Sequence, residues 1–277
     1  MEALSGVLRK LNFPATTAGS SSKVDVTSKE YIEEECRISN EIEGDLKGYD
    51  CPKCKNKGVI YEPRFSEMYD YWNTVAVRCD CMPIREELIR LEKSGLEALK
   101  DKTFDNYNYY EQWQRQIWTE AQAYANNPEG WFYIGGQPGC GKTHICTAIV
   151  NRLIKNGKAA RYMLWDDETT ELKQHINDSE VYESLIKPLK NADVLYIDDF
   201  FKKGQNAPVT AADVDVTFKI INFRYIKKLP TIISAEKSVA QIIRIDEALG
   251  SRIAEMTKGK ELYIAPDIKK NYRLRRK

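Results

Sequence analysis

The sequence predicts an α/β protein whose core is a parallel five-stranded sheet with helices on both faces, preceded by a small cysteine-rich domain. Three observations support this fold class. A glycine-rich loop stands between a strand-like and a helix-like segment, short apolar runs alternate with amphipathic segments, and four cysteines occur in two close pairs ahead of them. Strands that alternate with helices are typical of a parallel sheet in a layered α/β domain.

The glycine-rich loop matches the phosphate-binding pattern G-x-x-x-x-G-K-[ST] at every fixed position. An apolar run at 131–134 precedes it and a helical pattern follows it, which disfavours a Gly-Pro turn that matches by chance. Glycines let backbone amides surround phosphate oxygens, and the helix N-terminus adds its dipole. We therefore expect ATP here, with Lys142 reaching its β- and γ-phosphates and Thr143 ligating Mg²⁺. The expected nucleotide-binding residues are Gly136, Gln137, Pro138, Gly139, Cys140, Gly141, Lys142, Thr143 and His144.

A second segment, 194–199, runs from four apolar residues into two carboxylates. Such a run is typical of a parallel strand buried on both faces, whose carboxyl end opens on the ligand crevice of the sheet. We expect Asp198 to bind the nucleotide's Mg²⁺ and Asp199 to polarise an attacking water. Adjacent acids are otherwise usually a solvated turn, but the upstream phosphate loop favours the catalytic interpretation. The chain is therefore predicted to bind and hydrolyse a nucleoside triphosphate.

The remaining elements follow from periodicity. Helical spacing predicts helices over 30–38, 83–100, 111–125, 166–190 and 211–227, and apolar runs predict strands at 160–165, 231–234 and 262–265. The aromatic residues just before and within the helix at 111–125 either stack on bases or form a seam packed on the core, and we favour the seam. These aromatic residues are Tyr107, Tyr109, Tyr110 and Trp118.

Four of the seven cysteines form a CxxC…CxC arrangement, made of Cys51 and Cys54 followed by Cys79 and Cys81. Paired thiolates on tight turns are what tetrahedral Zn²⁺ requires, and apolar segments at 59–61 and 74–77 predict a hairpin between the pairs. A zinc ion would supply folding energy that ~35 residues cannot obtain from burial alone. Unlinked thiols are the alternative interpretation.

Overall composition indicates an ordinary globular chain. Its 277 residues carry a net charge of +1 and are 42% hydrophobic, which argues neither for nor against nucleic acid. Apolar runs are shorter than the ~18 residues of a membrane span, and a signal-peptide pattern is not evident, so we expect a cytoplasmic protein without a membrane partner. An apolar stripe near the N-terminus predicts a first helix that either docks on a partner or packs on its own domain. The stripe consists of Leu4, Val7, Leu8 and Leu11.

Three domains are predicted on this basis. Residues 1–44 form the N-terminal helix and a flexible linker, 45–100 a zinc-binding module with its helix, and 101–277 the ATPase domain.

Three features near the C-terminus fit a nucleotide-dependent switch. Ser234 or Glu236, at the end of a strand, would place a polar side chain near the γ-phosphate. Arg252, in a Gly-Ser-Arg segment after an amphipathic helix, is a candidate arginine finger, although a solvated helix start is the commoner role for such an arginine. Six of the last nine residues are basic and would contact phosphates or simply be solvated: Lys269, Lys270, Arg273, Arg275, Arg276 and Lys277.

Several motifs resemble those of the helicase loaders of the DnaC/DnaI type, within the AAA+ P-loop ATPases. The resemblance covers roughly 100–277, through Gly-Gly-Gln-Pro-Gly-Cys-Gly-Lys-Thr-His, Tyr-Ile-Asp-Asp-Phe, Ile-Ile-Ser-Ala-Glu and Leu-Gly-Ser-Arg-Ile, and the cysteine module is similar to that of the DnaI branch. It implies an AAA+ core that self-associates and binds single-stranded DNA, with an N-terminal part that binds the hexameric DnaB-type replicative helicase. By the same resemblance, Asp198 binds Mg²⁺, Asp199 is the catalytic acid and Arg252 acts in trans.

The chain departs from the family pattern in three places. Many AAA+ proteins have Glu where Asp199 stands, which implies slow hydrolysis used as a switch. The usual sensor Asn is not evident, so Ser234 and Glu236 both stay open for that role. The C-terminus is too short for a full helical lid, and Arg273 is the candidate second sensor.

Two rival functions remain at this point. One is an IstB-type transposition-helper ATPase that binds double-stranded DNA, against which the cysteine module argues. The other is a non-catalytic ATP-binding adaptor, against which the intact Lys142, Asp198 and Asp199 argue.

Overall fold

The computed structural model describes residues 25–204 and 207–274. It forms two compact units, Met1–Cys81 and Met82–Lys277, and each is described by itself. Several residues singled out above lie outside the described part of the chain. They are the stripe of Leu4, Val7, Leu8 and Leu11 and the last three basic residues, Arg275, Arg276 and Lys277.

The first unit consists of helix α1 (Lys29–Glu41) and strands β1 (Val59–Ser66) and β2 (Tyr71–Arg78). The two strands pair antiparallel along their whole length, which confirms the predicted hairpin. Asn40 at the end of α1 fastens the helix to the hairpin: its amide donates to the Tyr61 carbonyl at 2.8 Å and accepts from the Tyr61 N–H at 2.9 Å.

The second unit alternates helices and strands. Its elements are α2 (Cys81–Ser94), α3 (Gln112–Asn126), β3 (Trp131–Gly136), α4 (Lys142–Lys155), β4 (Ala160–Leu164), α5 (Trp165–Gln174), α6 (Ser179–Asn191), β5 (Val194–Phe200), α7 (Ala211–Ile226), β6 (Thr231–Ala235), α8 (Val239–Ile245), α9 (Glu247–Thr257) and β7 (Leu262–Ile264). Short 3₁₀ turns lie at Glu97–Leu99, Ile268–Lys270 and Tyr272–Leu274.

Strands β3 to β7 form one sheet in the order β4-β5-β6-β3-β7, with every neighbouring pair parallel. Successive strand residues point to opposite faces. In β3, Phe132 and Ile134 pack with α3 and α4, whereas Trp131 and Tyr133 pack with the cluster formed by α5 to α9. The predicted fold class, a parallel five-stranded sheet with helices on both faces, is confirmed.

The segment predicted as a single helix over 83–100 is interrupted. Helix α2 ends at Ser94, because Gly95 has a φ of +77° that does not continue a helix, and a 3₁₀ turn follows. Leu96 is fully buried in the core of the second unit. The boundary between the two compact units lies after Cys81, and the predicted domain division at residue 100 stays a prediction.

Two further differences concern helix ends. The span 166–190 contains two helices, because Asp178 accepts a hydrogen bond from Val181 N and begins α6. Arg252 lies inside α9, not after a helix, because the break falls at Asp246, which begins α9. Gly250 serves close packing instead: a Cβ there would meet the Ile243 Cα at 2.7 Å.

Candidate nucleotide-binding site and metal centre

A pocket of roughly 190 Å³ lies where β3, β5 and β6 end. The phosphate loop follows β3, Asp199 lies in the last part of β5, and Glu236 follows β6. The structure thus brings most of the predicted nucleotide-binding residues to one place. The lining residues are Pro138, Gly139, Gly141, Lys142, Thr143, His144, Asp199, Lys202, Glu236 and Arg273.

The loop between β3 and α4 depends on glycine geometry. Gly136, Gly139 and Gly141 have φ values of +144°, +76° and +94°, which L side chains rarely adopt. A Cβ on Gly136 would also meet the carbonyl oxygen of Ile264 at 2.8 Å. Helix α4 begins immediately after the loop, so the amides of its first turn lie beside the pocket, where an anion is favoured.

Lys142 is buried in this loop. Its ammonium donates to the carbonyl oxygens of Gly136 at 2.7 Å and Gln137 at 2.9 Å. These two bonds hold the cation across the loop, and an ammonium has a third proton to offer to a phosphate oxygen.

Asp198 is buried, and three hydroxyl groups surround its carboxylate. Thr143 Oγ1 lies 3.3 Å from Oδ1, Ser234 also bonds Oδ1, and Tyr162 donates to Oδ2 at 3.3 Å. Burial, followed by the charge of Asp198, raises the pKa of Tyr162 above its usual range, so the phenol stays a donor. The oxygens of Thr143 and Asp198 are hard ligands close enough to share one Mg²⁺, and they fit the ion predicted here.

The backbone leaves regular strand geometry at Asp199. The register between β5 and β6 shifts between Ile197 and Phe200, and Asp199 has a φ of +51°. Bulges redirect side chains beside active sites, and Asp tolerates this conformation better than most residues. As a result, Asp198 points into the protein while its neighbour Asp199 lines the pocket.

Lys202 is a pocket residue that was not predicted from the sequence. Its ammonium lies 3.1 Å from Asp199 Oδ2 and 2.9 Å from Glu236 Oε1. Burial opposes the charge of Lys202, but bonds to Glu236 and Asp199 outweigh it and raise the pKa of Lys202. A lysine in a Lys-Lys loop carries no distinctive pattern, so only its spacing of three residues from Asp199 was available as a signal. Tyr162 was likewise missed, because it reads as an ordinary strand aromatic.

Three predicted loop residues make contacts that fix the loop in place. The Cys140 thiol donates to the Gln137 carbonyl at 2.9 Å, and burial raises the pKa of Cys140. The Gln137 side chain pairs with the backbone of Asp267 in both directions, at 2.7 and 2.6 Å. His144 Nε2 lies 3.0 Å from the Thr103 carbonyl, and burial lowers the pKa of His144.

The C-terminal segment returns to the phosphate loop. The Tyr272 N–H donates to the Gly139 carbonyl at 2.9 Å, and Arg273 lines the pocket. Arg273 is thereby placed beside the loop, and its role as a second sensor stays a prediction.

Arg252 is held elsewhere: within the described part of the chain it is not among the pocket-lining residues. Its guanidinium lies 4.9 Å from the centre of the Phe218 ring and 5.3 Å from that of Tyr225, and Nε donates to Asn222 Oδ1 at 3.1 Å. The structure therefore separates Arg252 from its own chain's pocket.

Some of the aromatic side chains before and within α3 are packed in the core, and others are exposed to solvent. Tyr107 is buried, with its ring edge-on to His144, and Trp118 lies edge-on to Phe104. These contacts match the packed seam favoured from the sequence. Tyr110, by contrast, is 77% exposed.

The four paired cysteines converge in the first unit. All four are buried, and their sulfur atoms lie within 4.8 Å of one another. The Cys51–Cys79 and Cys54–Cys81 sulfur distances are 3.9 and 3.6 Å, close to the ~3.8 Å edge of a tetrahedron whose Zn–S bonds are about 2.3 Å. This donor set fits the predicted zinc ion.

One amide also prepares the cysteine cluster for a metal. The Gly58 N–H donates to Cys54 Sγ at 3.3 Å. Burial opposes a thiolate, but this bond and the neighbouring thiols outweigh it and lower the pKa of Cys54.

From the length of its apolar runs, the sequence predicts that the chain lacks a membrane span. Over residues 25–204 and 207–274, none of the helices is both long and apolar enough to cross a membrane.

Comparisons with known proteins identify the family of the chain. The model of the family described as IstB-like ATP binding protein matches residues 84–255. The phage-like element PBSX protein XkdC of Bacillus subtilis is 30% identical over 226 residues, which cover 77% of this chain and 82% of that protein. The replicative helicase loader DnaC of Escherichia coli K12 is 25% identical over 178 residues, which cover 62% of this chain and 70% of that protein. The crystal structure of the DnaC helicase loader aligns with a TM-score of 0.49 at 21% identity, covering 62% of this chain and 99% of that one.

The fold and the phosphate-loop pocket define an ATP-binding protein of the AAA+ class. The chain belongs to the IstB-like ATP-binding family, and its relatives include a replicative helicase loader, DnaC of Escherichia coli. The resemblance drawn from the motifs is confirmed.

Proposed function

We propose that this protein is an ATP-controlled loader that delivers a hexameric replicative helicase to single-stranded DNA when replication begins. The observation that carries the proposal is the combination, in one chain, of a nucleotide pocket in one unit and a cysteine-held hairpin in the other. The similarity to a protein named as a replicative helicase loader supports it.

The pocket residues suit ATP hydrolysis. Lys142 would bind the β- and γ-phosphates from its place across the loop. Thr143 and Asp198 would hold Mg²⁺, which withdraws electron density from the phosphate oxygens when bound. Asp199 would accept a hydrogen bond from the attacking water, because its carboxylate faces the pocket.

The two sensor candidates would have different tasks. Ser234 is buried and bonded to Asp198, so it would orient the metal-binding carboxylate. Glu236 lines the pocket and bonds the Lys202 ammonium, so it would act on the terminal phosphate indirectly, by holding Lys202 near it. Arg273 would bind phosphate in its own subunit, and Arg252 would act on a neighbouring subunit after self-association of the ATPase domains.

The hairpin of the first unit would bind the helicase. Its turn end exposes large apolar side chains: Phe65 is 42%, Met68 82% and Tyr69 66% exposed. The predicted zinc ion would hold the opposite end of the hairpin, beyond Val59 and Arg78. Exposed apolar groups on a rigid support are typical of a protein-binding surface.

Helicase association and loading test this function directly. In a pulldown, the full-length protein should retain the replicative helicase of its host, and a Met68→Ser/Tyr69→Ser variant should lose that association while keeping ATP binding. Tyr110→Ser removes a similarly exposed aromatic side chain, 77% against 66% for Tyr69, from the other unit and serves as the control. With ATP, the wild type should also transfer helicase to protein-coated single-stranded circles. Absence of association with any replicative helicase of the host would contradict the proposal.

The description of the matching family favours one second candidate, an IstB-like helper ATPase that binds double-stranded DNA beside a transposase. Direct competition between single- and double-stranded oligonucleotides separates the two functions. Preference for the duplex without helicase association would favour the helper.

A further inference from the structure

Lys202 extends from the end of β5 into the pocket that the phosphate loop faces. Its ammonium bridges two carboxylates that come from different strands of the sheet, at 3.1 Å from Asp199 and 2.9 Å from Glu236. The lysine side chain is 41% exposed, so it is placed at the mouth of the pocket and not within the protein.

The three pocket cations are held in different ways. Lys142 is buried and bonded to two backbone carbonyls, which fixes its position. Lys202 is bonded to side chains and sits on a flexible four-carbon stem, so its ammonium can change partners at little cost. Arg273 belongs to the C-terminal turn.

A terminal phosphate in this pocket would meet the charges of Asp199 and Glu236. Like charges within a few ångströms repel strongly in a partly desolvated site. A mobile cation that contacts phosphate and carboxylate together removes this repulsion, and the bridging position of Lys202 is suited to that task.

We propose that Lys202 is a binding residue for the terminal phosphate of ATP, which it reaches by exchanging its bond to Asp199 for a bond to phosphate. The exchange frees the Asp199 carboxylate to face the attacking water, while Glu236 continues to hold the lysine. This inference rests on the proposed binding and hydrolysis of ATP at this pocket. Because ADP lacks the terminal phosphate, Lys202 distinguishes ATP from ADP.

Nucleotide affinities measured by titration calorimetry with Mg²⁺ test the inference, with a non-hydrolysable ATP analogue compared with ADP. Lys202→Met should lower the affinity for the ATP analogue roughly tenfold or more, because a charge-assisted bond is lost. The affinity for ADP should stay nearly unchanged. Lys202→Arg should retain most of the preference. Lys219→Met removes an equal charge that pairs with Asp215 on α7 and serves as the matched control.

A double variant separates phosphate binding from simple neutralisation of the carboxylates. In Lys202→Met/Glu236→Gln, the pocket regains its original net charge without a lysine. If Lys202 contacts phosphate, the preference for the analogue stays below that of the wild type. Recovery of the wild-type preference in the double variant would overturn the inference, as would an unchanged preference in Lys202→Met. If the wild type binds neither nucleotide, the result would instead contradict the proposed ATP-dependent function.

Discussion

The side-chain oxygens of Thr143 and Asp198 lie 3.3 Å apart although the two residues are 55 positions apart in the chain. Helix α4 packs on the face of the sheet that carries Val194 and Tyr196 of β5. Its first turn therefore lies over the carboxyl end of that strand. Two short motifs become one metal-binding arrangement through the packing of α4 on β5.

Lys142→Ala should abolish ATP binding. Lys142 is held across the phosphate loop by two carbonyl bonds, and alanine removes both this brace and the charge that faces the phosphates. Calorimetric titration with ATP measures the effect, and Lys155→Ala at the other end of the same helix should bind normally. Full ATP affinity in Lys142→Ala would mean that the loop is not the phosphate site.

Asp199→Asn should keep ATP binding and slow hydrolysis roughly 100-fold or more, which is the usual loss when a general base is removed. Asparagine tolerates the left-handed backbone at φ +51° as well as aspartate does, so the fold should be unaffected. Phosphate-release kinetics and nucleotide affinity, measured together, check this outcome. If Asp199→Asn loses binding and Asp198→Asn loses only turnover, the proposed roles of the two residues are exchanged.

We expect one Zn²⁺ per chain, bound by Cys51, Cys54, Cys79 and Cys81. Cys54→Ser should lose the metal and unfold the first unit, because the hairpin has few other buried side chains around this cluster. Cys36→Ser alters a buried thiol outside the cluster and should keep one equivalent. Metal analysis of freshly purified, reduced protein decides the point, and a content far below one equivalent in the wild type would refute it.

Asp213→Asn should destabilise the protein by about 2 kcal/mol at pH 7. Asp213 is fully buried; burial opposes its charge, but Lys173, Thr210 and Lys203 outweigh that effect and lower the pKa of Asp213 to about 2. A lowered carboxyl pKa stabilises the fold above the unfolded pKa of about 4, and this contribution is lost as pH falls towards 2.

Urea unfolding of wild type and Asp213→Asn between pH 7 and pH 3 measures this dependence. The difference between the two proteins should be constant above about pH 5 and should shrink below about pH 4. A difference that stays constant down to pH 3 would mean that the charge of Asp213 does not contribute.

The sequence predicted those parts of the site that depend on local pattern. The phosphate loop, the strand ending in Asp198 and the cysteine pairs carry their chemistry in fixed spacings. Lys202 and Tyr162 could not be predicted, because their roles arise from the order of strands in the sheet. The position of Arg252 within α9 was also missed, since Gly250 resembles a helix stop yet permits close packing on α8.

If Arg252 acts on a neighbouring subunit, assemblies that mix two inactive variants, Arg252→Ala and Lys142→Ala, should regain ATPase activity. Its guanidinium lies over the Phe218 and Tyr225 rings and is not among the groups that line its own pocket. A monomer should therefore hydrolyse ATP poorly, and turnover per chain should rise with protein concentration. Arg252→Ala keeps an intact phosphate loop, whereas Lys142→Ala keeps an intact arginine.

In the mixture, some interfaces join the intact loop of one variant to the intact arginine of the other. Random pairing makes about a quarter of the interfaces competent for a stoichiometric mixture, so we expect activity well above either parent but below the wild type. Because Arg252 also stacks on two rings, thermal unfolding and sedimentation of Arg252→Ala must first show a folded protein that still assembles. Co-assembly without any recovery of turnover would show that Arg252 does not act in trans and that its contacts with Phe218, Tyr225 and Asn222 are structural.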